Sequence, residues 1–144
     1  MGDRSNVNII TEKIEDTDKY LMLNIYSHWG GKAVQRDALD KAVEVLDRAA
    51  YDGSYFSRAI VRTVTDGDDG ATGSGVSPRL IEGIEEAYKQ TEDNEYDILN
   101  FDLVNKKLVL FRHYGGYAGI PEVAEVIAEA PLTAEGIAEM KAVI

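Results

Sequence analysis

The sequence predicts an α+β domain: an antiparallel sheet of about four strands, in the order ββααββ, with helices on one face and a C-terminal helical tail. Two segments rich in strand-forming residues open the chain, two segments with helical spacing follow, and a hairpin pattern comes next. The chain has 144 residues, of which 44% are hydrophobic, so it suits one domain with a buried core.

The first two strands are predicted from different patterns. Val7, Ile9 and Thr11 alternate with other residues, which is typical of a strand buried on one face. The run 20–26 is almost continuously apolar, which indicates a central strand covered on both faces. The acidic segment 15–18 is expected to form the turn between the two strands.

Two amphipathic helices are predicted next. Over residues 33–50 an apolar stripe rich in Ala and Leu recurs at helical spacing, and charged residues fill the opposite face. An Asp-Gly pair would end this helix, and Ser54 would cap a second one that runs to about Val64. The segment 66–75 contains four glycines and three aspartates, so it is expected to be a loop.

The second half of the chain predicts a helix and a hairpin. Ser77 and Pro78 are typical of a helix start, and the apolar spacing after them continues to Tyr88. Residues 98–111 predict two strands joined by a two-residue turn. The first of these strands alternates apolar and polar residues, so one of its faces is expected to be wet.

These elements place a core domain at residues 1–112 and an appendage at 113–144. The appendage would consist of a linker and two short amphipathic helices around Pro131. These helices are expected either to pack on the domain or to form a homodimer contact.

Composition limits the possible partners. The chain has 15 Lys and Arg against 26 Asp and Glu, a formal net charge of -11, which opposes binding to nucleic acid. It has no cysteine and two histidines, so neither a metal nor another cofactor is expected. No apolar run approaches the roughly 20 residues that span a bilayer, and no signal-peptide pattern is present. A cytoplasmic protein without a membrane partner is expected.

Two polar clusters near the start are candidate binding segments. Arg4 offers a planar fork for a phosphate or a carboxylate, and Asp3 would orient it. Trp29 offers a face for stacking, His28 a hydrogen-bonding or proton-exchanging ring, and Gly30 exposed amides ahead of a helix. The structural alternatives are a solvated turn and a buried tryptophan beside a satisfied histidine.

A third polar cluster combines the glycine-rich loop with residues 93–96. It is too weak a pattern for a nucleotide fingerprint, but it suits a mobile lid over a pocket, and a solvated acidic loop is the alternative. The candidate ligand-binding residues are Asp3, Arg4, Asn6, His28, Trp29, Gly30, Arg58, Thr72, Ser74, Asn94 and Tyr96.

Several short motifs follow one another along the chain: GDRSNVNI at 2–9, YSHWGG at 26–31, Tyr55 with Arg58, TGSGVS at 72–77 and DNEY at 93–96. Together they resemble a family of small uncharacterised proteins from phages and other mobile elements. The resemblance covers about residues 2–111 and leaves the tail outside. It implies a phage-like origin and a shared polar pocket, and it implies no reaction.

The leading functional hypothesis is a small-ligand binding protein, a phage-type counter-defence module that sequesters a nucleotide-derived immune signal of the host. Trp29 would stack on a base, while Arg4 and Arg58 would bind charged groups. Because the chain as a whole is acidic, this hypothesis requires a pocket that is locally positive.

Two alternatives stay open. In a metal-free phosphodiesterase, His28 would be the general base, assisted by Tyr26, Tyr96 or His113. In an acidic DNA mimic, an exposed stripe of carboxylates would inhibit a host nuclease or CRISPR effector. The candidates for that stripe are Asp66, Asp68, Asp69, Glu85, Glu86, Glu92, Asp93 and Glu95.

Overall fold

A computed structural model describes residues 3–68, 70, 73–92, 94–114 and 123–144. The strands are β1 (Ser5–Lys13), β2 (Lys19–Ser27), β3 (Ser74–Glu82), β4 (Ile98–Asp102), β5 (Lys107–Tyr114) and β6 (Val123–Pro131). The helices are α1 (Gly31–Glu44), α2 (Leu46–Ala49), α3 (Gly53–Val64), α4 (Ile84–Tyr88) and α5 (Ala134–Val143). Among the described helices, none has both the length and the apolar composition needed to cross a bilayer.

The six strands form one sheet in the order β3-β2-β1-β4-β5-β6. All neighbours pair antiparallel except β1 and β4, which pair in parallel with Val7 opposite Leu99. The α+β class is therefore confirmed, but the sheet is mixed and larger than the four antiparallel strands predicted. The parallel pair arises because the long connection after β2 brings the chain back to β1 in the same direction.

The segment predicted as a third helix from Ser77 is mostly the edge strand β3. It pairs with β2 over its whole length, and Pro78 lies opposite Leu23. An edge strand tolerates proline because the missing N–H group can be on the solvent side. Only the end of the predicted helix is helical, as the short α4.

The tail contributes one strand and one helix instead of two helices. β6 pairs antiparallel with β5, so the sheet continues across the domain boundary expected at residue 112. The turn after Pro131 leads into α5, where the Thr133 hydroxyl accepts a hydrogen bond from Gly136 N at 3.0 Å. Ile137 and Met140 of this helix are buried in the main core.

The helices predicted in the middle of the chain are present with different ends. The expected helix over 33–50 is divided into α1 and the one-turn α2. The cap of α3 is Asp52, whose carboxylate accepts a hydrogen bond from Tyr55 N at 3.3 Å, and not Ser54. The hairpin is also present, but four residues, 103–106, connect its strands.

Both faces of the sheet are covered. α1, α3 and α5 form the larger core on one face, where the rings of Phe56 and Phe101 meet edge to face with centroids 5.5 Å apart. α4 covers part of the other face, around Tyr88 and Phe111. The polar side of β4 is therefore buried, with Asn100 fully enclosed, and the expectation of a wet face is wrong.

A network of asparagines lies on the α4 face: Asn6, Asn8, Asn24 and Asn100, all fully buried. The amide of Asn24 donates to the side-chain oxygens of Asn6 and Asn8 at 3.1 and 2.8 Å, and that of Asn8 donates to Asn100 at 3.1 Å. Asn8 and Asn24 also donate to the carbonyl oxygen of Gln90. These side chains satisfy the backbone of an irregular segment that crosses the sheet.

Candidate functional site

The residues before β1 tie three segments together at one corner of the sheet. Asp3 N donates to the carbonyl oxygen of His28 at 2.8 Å, and the carbonyl oxygen of Asp3 accepts from Gly31 N at 2.7 Å. The carbonyl oxygen of Arg4 accepts from Glu95 N at 3.1 Å. The end of β2, the start of α1 and the segment before β4 are thus held together by backbone hydrogen bonds.

The N-terminus of α1 is occupied by a carboxylate of the chain itself. The Asp3 carboxylate lies against Gly31, whose φ is +53°, so closely that a Cβ atom at this position would collide with Asp3 Oδ2. The other carboxylate oxygen of Asp3 accepts a hydrogen bond from the Tyr96 hydroxyl. That hydrogen bond raises the pKa of Tyr96 above its ordinary value. Gly30 N donates to Ser27 Oγ at 3.0 Å. The Asp3 carboxylate therefore lies beside the first residue of α1, a favourable place for a negative charge and close to where a bound anion was expected.

Arg4 is compensated by an acidic neighbour. Its Nη2 and Nε atoms lie 2.8 and 2.9 Å from Oε1 of Glu95, and the Arg4 side chain is 23% exposed. Lys32 lies 6.0 Å from the centroid of the Tyr96 ring. An anionic ligand would therefore have to compete with Glu95 for the guanidinium group of Arg4.

Three aromatic residues, Tyr26, His28 and Trp29, form what we call the aromatic corner. The Tyr26 hydroxyl lies 2.6 Å from Nδ1 of His28, and the His28 ring meets the Trp29 ring edge to face, with centroids 4.5 Å apart. The indole is 68% exposed, so the alternative of a buried tryptophan is wrong. Tyr26 is missing from the predicted ligand-binding residues, although strand alternation places residues 26 and 28 on one face.

A groove of about 510 Å³ lies beside the aromatic corner, and we call it the Tyr26 groove. It runs between Tyr26, the start of β3 at Gly75 and Ser77, and Glu92 on the far side. Arg79 joins two of its walls, because its guanidinium donates to Ser77 Oγ at 3.2 Å and to Glu92 Oε1 at 2.7 Å. The groove therefore has an aromatic wall and fixed polar groups.

Three further predicted residues lie at the same corner. The amide of Asn6 donates to Asn94 Oδ1 at 3.0 Å, and Asn94 in turn donates to the carbonyl oxygen of Tyr96. Ser74 is the first residue of β3 and pairs with the last residue of β2. Thr72 lies outside the described residues, so its part in a lid stays a prediction.

Arg58 lies apart from this corner. It is on α3, with its guanidinium carbon 5.6 Å from the centroid of the Tyr55 ring. It lines a groove together with Thr11, which is seven residues beyond Arg4 along β1. At about 3.3 Å per residue, this separates Arg4 from Thr11 by roughly 23 Å. The two arginines are therefore not joined in one pocket.

The acids expected in a DNA-mimic stripe are partly compensated. Glu86, Glu92 and Glu95 each form an ion pair with a lysine or an arginine, at 2.7 to 2.9 Å. Asp69 and Asp93 lie outside the described residues. In the part of the chain that is described, no group of three or more acidic or histidine side chains could hold a metal ion.

Comparison with known proteins adds no relationship to this geometry. No protein-family model, no curated protein and no solved structure matches the chain. The resemblance to small phage proteins therefore stays a prediction, and function has to be argued from the site.

Proposed function

We propose that this chain is a small-ligand binding protein that takes the planar ring of a nucleobase at the aromatic corner. The observation that carries the proposal is Trp29, which is 68% exposed and whose ring packs edge to face against His28. A nucleotide-derived ligand would then be held chiefly by its base, and its phosphate would contribute little.

An exposed and fixed indole is suited to stacking. Stacking of a base on an aromatic side chain contributes about 1–3 kcal/mol. The edge-to-face contact with His28, itself fixed by the Tyr26 hydroxyl, reduces the rotamer freedom that Trp29 would lose on binding.

The Tyr26 groove supplies the hydrogen-bonding groups that a base requires. Ser77 can donate or accept, and the carboxylate of Glu92 can accept from an amino or imino group. A volume of about 510 Å³ is in the range of small-molecule sites and exceeds the needs of one base. A ligand that extends from Trp29 past Tyr26 would combine ring recognition at the indole with edge recognition in the groove.

The charges at this corner favour a neutral ligand over a phosphate. The carboxylate of Asp3 lies at the start of α1, and Glu95 compensates Arg4. A free nucleoside should therefore bind about as tightly as its monophosphate, and the affinity should depend little on salt. This differs from the locally positive pocket expected from the sequence.

The cellular role that follows from the sequence resemblance is part of the same proposal. A phage-encoded binder in the bacterial cytoplasm would sequester a nucleotide-derived immune signal by enclosing its base. Among nucleotide derivatives, one with two bases or with an extended ribose should then bind more tightly than a single nucleoside, because it covers both Trp29 and the groove.

Isothermal titration calorimetry with a panel of ligands tests the proposal. The panel consists of the common nucleosides, their monophosphates, cyclic dinucleotides and ADP-ribose. Because Trp29 is the only tryptophan, quenching of intrinsic fluorescence reports binding at the aromatic corner directly. Trp29→Ala should weaken the best ligand by about 5- to 150-fold, which corresponds to the loss of about 1–3 kcal/mol of stacking.

Tyr51→Ala is the matched control. Tyr51 is 71% exposed, like Trp29, but lies between α2 and α3, so its removal should leave the affinity unchanged. If no member of the panel binds the folded protein, or if Trp29→Ala binds as tightly as the wild type, the proposal is wrong.

A phosphodiesterase remains the second candidate because the Tyr26 hydroxyl lies 2.6 Å from His28 Nδ1. Such a pair offers a proton donor and a proton acceptor to a substrate. Chromatography of a cyclic dinucleotide after incubation separates the two functions. Product that disappears in both His28→Gln and Tyr26→Phe would indicate catalysis, whereas unchanged ligand supports binding alone.

A further inference from the structure

A second groove, of about 880 Å³, lies on the opposite face of the sheet, and we call it the α3 groove. α3 forms one wall, and the end of β1 with the adjoining parts of β2 and β3 forms the other. It lies at the end of β1 opposite the aromatic corner, because Thr11 and Glu12 line it.

The floor of the α3 groove is apolar and exposed. Leu21 and Leu80 face each other across β2 and β3, and they are 37% and 56% exposed. Leu23 and Pro78, the pair two residues further along, continue the same surface. The helices leave this end of the sheet uncovered, so apolar side chains are available to a ligand.

Two opposite charges line the groove without neutralising each other. Arg58 and Glu12 are both exposed, and neither forms an ion pair with any residue that the structure describes. The guanidinium carbon of Arg58 lies 5.6 Å from the centroid of the Tyr55 ring. The groove thus offers a cation from α3 and an anion from β1 on either side of an apolar floor.

We propose that the α3 groove binds a short apolar peptide with free termini. The peptide carboxylate would pair with Arg58 and its ammonium group with Glu12. Its side chains would cover Leu21 and Leu80. No ligand with a single charge matches both of these charged groups, because a fatty acid would leave Glu12 unpaired.

The edge of the sheet does not accept such a peptide as an added strand. β3 is the edge strand on the side of the α3 groove, and Pro78 at its centre has no N–H group to donate. Proline at this position interrupts the row of hydrogen bonds that an added strand needs. The occupant therefore lies on the apolar face and uses its termini for recognition.

Crossed titrations test the proposal with the tripeptide Leu-Ala-Leu, its N-acetyl form and its C-terminal amide. Wild-type protein should bind the free tripeptide more tightly than either capped form, by about 3- to 10-fold. Arg58→Gln should lower affinity for the free and N-acetylated peptides but not for the amide. Glu12→Gln should lower affinity for the free peptide and the amide but not for the N-acetylated form.

Two further variants separate ligand binding from structural effects. Ser57→Ala, on α3, should leave peptide affinity unchanged and the melting temperature unchanged or higher, since it removes an enclosed hydroxyl that has no partner among the described residues and that the peptide does not reach. Arg62→Gln, one turn along α3 and outside the groove, should bind the peptide like the wild type.

The result is independent of the nucleobase proposal because Trp29→Ala should leave peptide affinity unchanged. Equal binding of the three peptides, or peptide affinity that survives both Arg58→Gln and Glu12→Gln, would overturn the inference. Tighter binding of decanoate than of the free tripeptide would overturn it as well, since that would indicate a groove for fatty acids.

Discussion

Truncation of Asn8 is the sharpest test of how the sheet holds the segment beside the Tyr26 groove. Asn8 lies at the centre of the asparagine network, where its amide donates to Asn100 Oδ1 and to the carbonyl oxygen of Gln90, while its oxygen accepts from Asn24. Asn8→Ala removes all three hydrogen bonds from a fully buried position.

The expected loss follows from which atoms keep a partner. Asn24 retains its bonds to Asn6 and Gln90, but Asn100 Oδ1 is left without a partner among the described residues. One orphaned buried acceptor costs about 1–3 kcal/mol, and each of the other two hydrogen bonds about 0.5–1.5 kcal/mol. Asn8→Ala should therefore lower the free energy of unfolding by roughly 2–6 kcal/mol, a large share of typical domain stability.

Urea denaturation followed by far-UV circular dichroism measures this loss, since the exposed Trp29 is a poor probe of unfolding. Thr11→Ala is the control on the same strand, because the Thr11 hydroxyl makes an exposed hydrogen bond to the carbonyl oxygen of Leu21. The double variant Asn8→Ala with Asn100→Ala should lose less free energy of unfolding than the sum of the two single variants, by about 1–2 kcal/mol. A loss no larger than that of Thr11→Ala would refute the reasoning.

Three further outcomes are expected. Burial and a 2.6 Å hydrogen bond to Asp102 raise the pKa of Tyr88 above its ordinary 10.0. The stability that the protonated Tyr88 provides is therefore complete below pH 10 and is lost as the pH rises beyond it. Tyr88→Phe should flatten this alkaline decline, measured as melting temperature against pH. Gly31→Ala strains the backbone and displaces the Asp3 carboxylate, so it should lower the free energy of unfolding in urea by at least about 1–2 kcal/mol. Adding Asp3→Ala should recover part of this loss. Thr133→Ala removes the N-terminal cap of α5 and should lower the free energy of unfolding in urea by about 1 kcal/mol.

The elements that sequence could predict are those with a strong local period. β1, β2, α1, α3 and the β4–β5 hairpin all follow from spacing within a few residues. The parallel pairing of β1 with β4 could not be predicted in this way, because it joins residues about 90 positions apart and depends on the path of the chain between them.

β3 shows why a local cue can mislead. Ser77 followed by Pro78 is typical of a helix start, but the same pair is compatible with an edge strand. Leu80 and Ile84 fit a helical spacing. No residue of β3 is fully buried, so the segment carries too few buried residues to favour a strand over a helix. The contact that decides the matter is the ladder with β2, which sequence alone does not contain.

Sequence could predict which candidate residues meet when they flank the paired strands β1 and β2. It could not predict the position of a candidate residue on a helix. Predicted residues that meet at one corner are Asp3, Arg4, Asn6, His28, Trp29, Gly30, Ser74, Asn94 and Tyr96. Most of them flank β1 and β2, whose antiparallel pairing brings the start of one to the end of the other. Arg58 was misplaced because its position depends on how α3 crosses the sheet, which periodicity does not reveal.

Under the nucleobase proposal, the charge distribution accounts for how a strongly acidic chain would bind a nucleotide derivative. A net charge of -11 repels phosphate at long range, and at the aromatic corner the chain places Asp3 at the helix terminus and Glu95 on Arg4. A phosphate at the start of α1 would have to displace the Asp3 carboxylate, and a phosphate on Arg4 would have to break its ion pair with Glu95. A base that stacks on Trp29 does neither. Selection by ring face and hydrogen-bonding edge is therefore the mode of recognition that this corner favours.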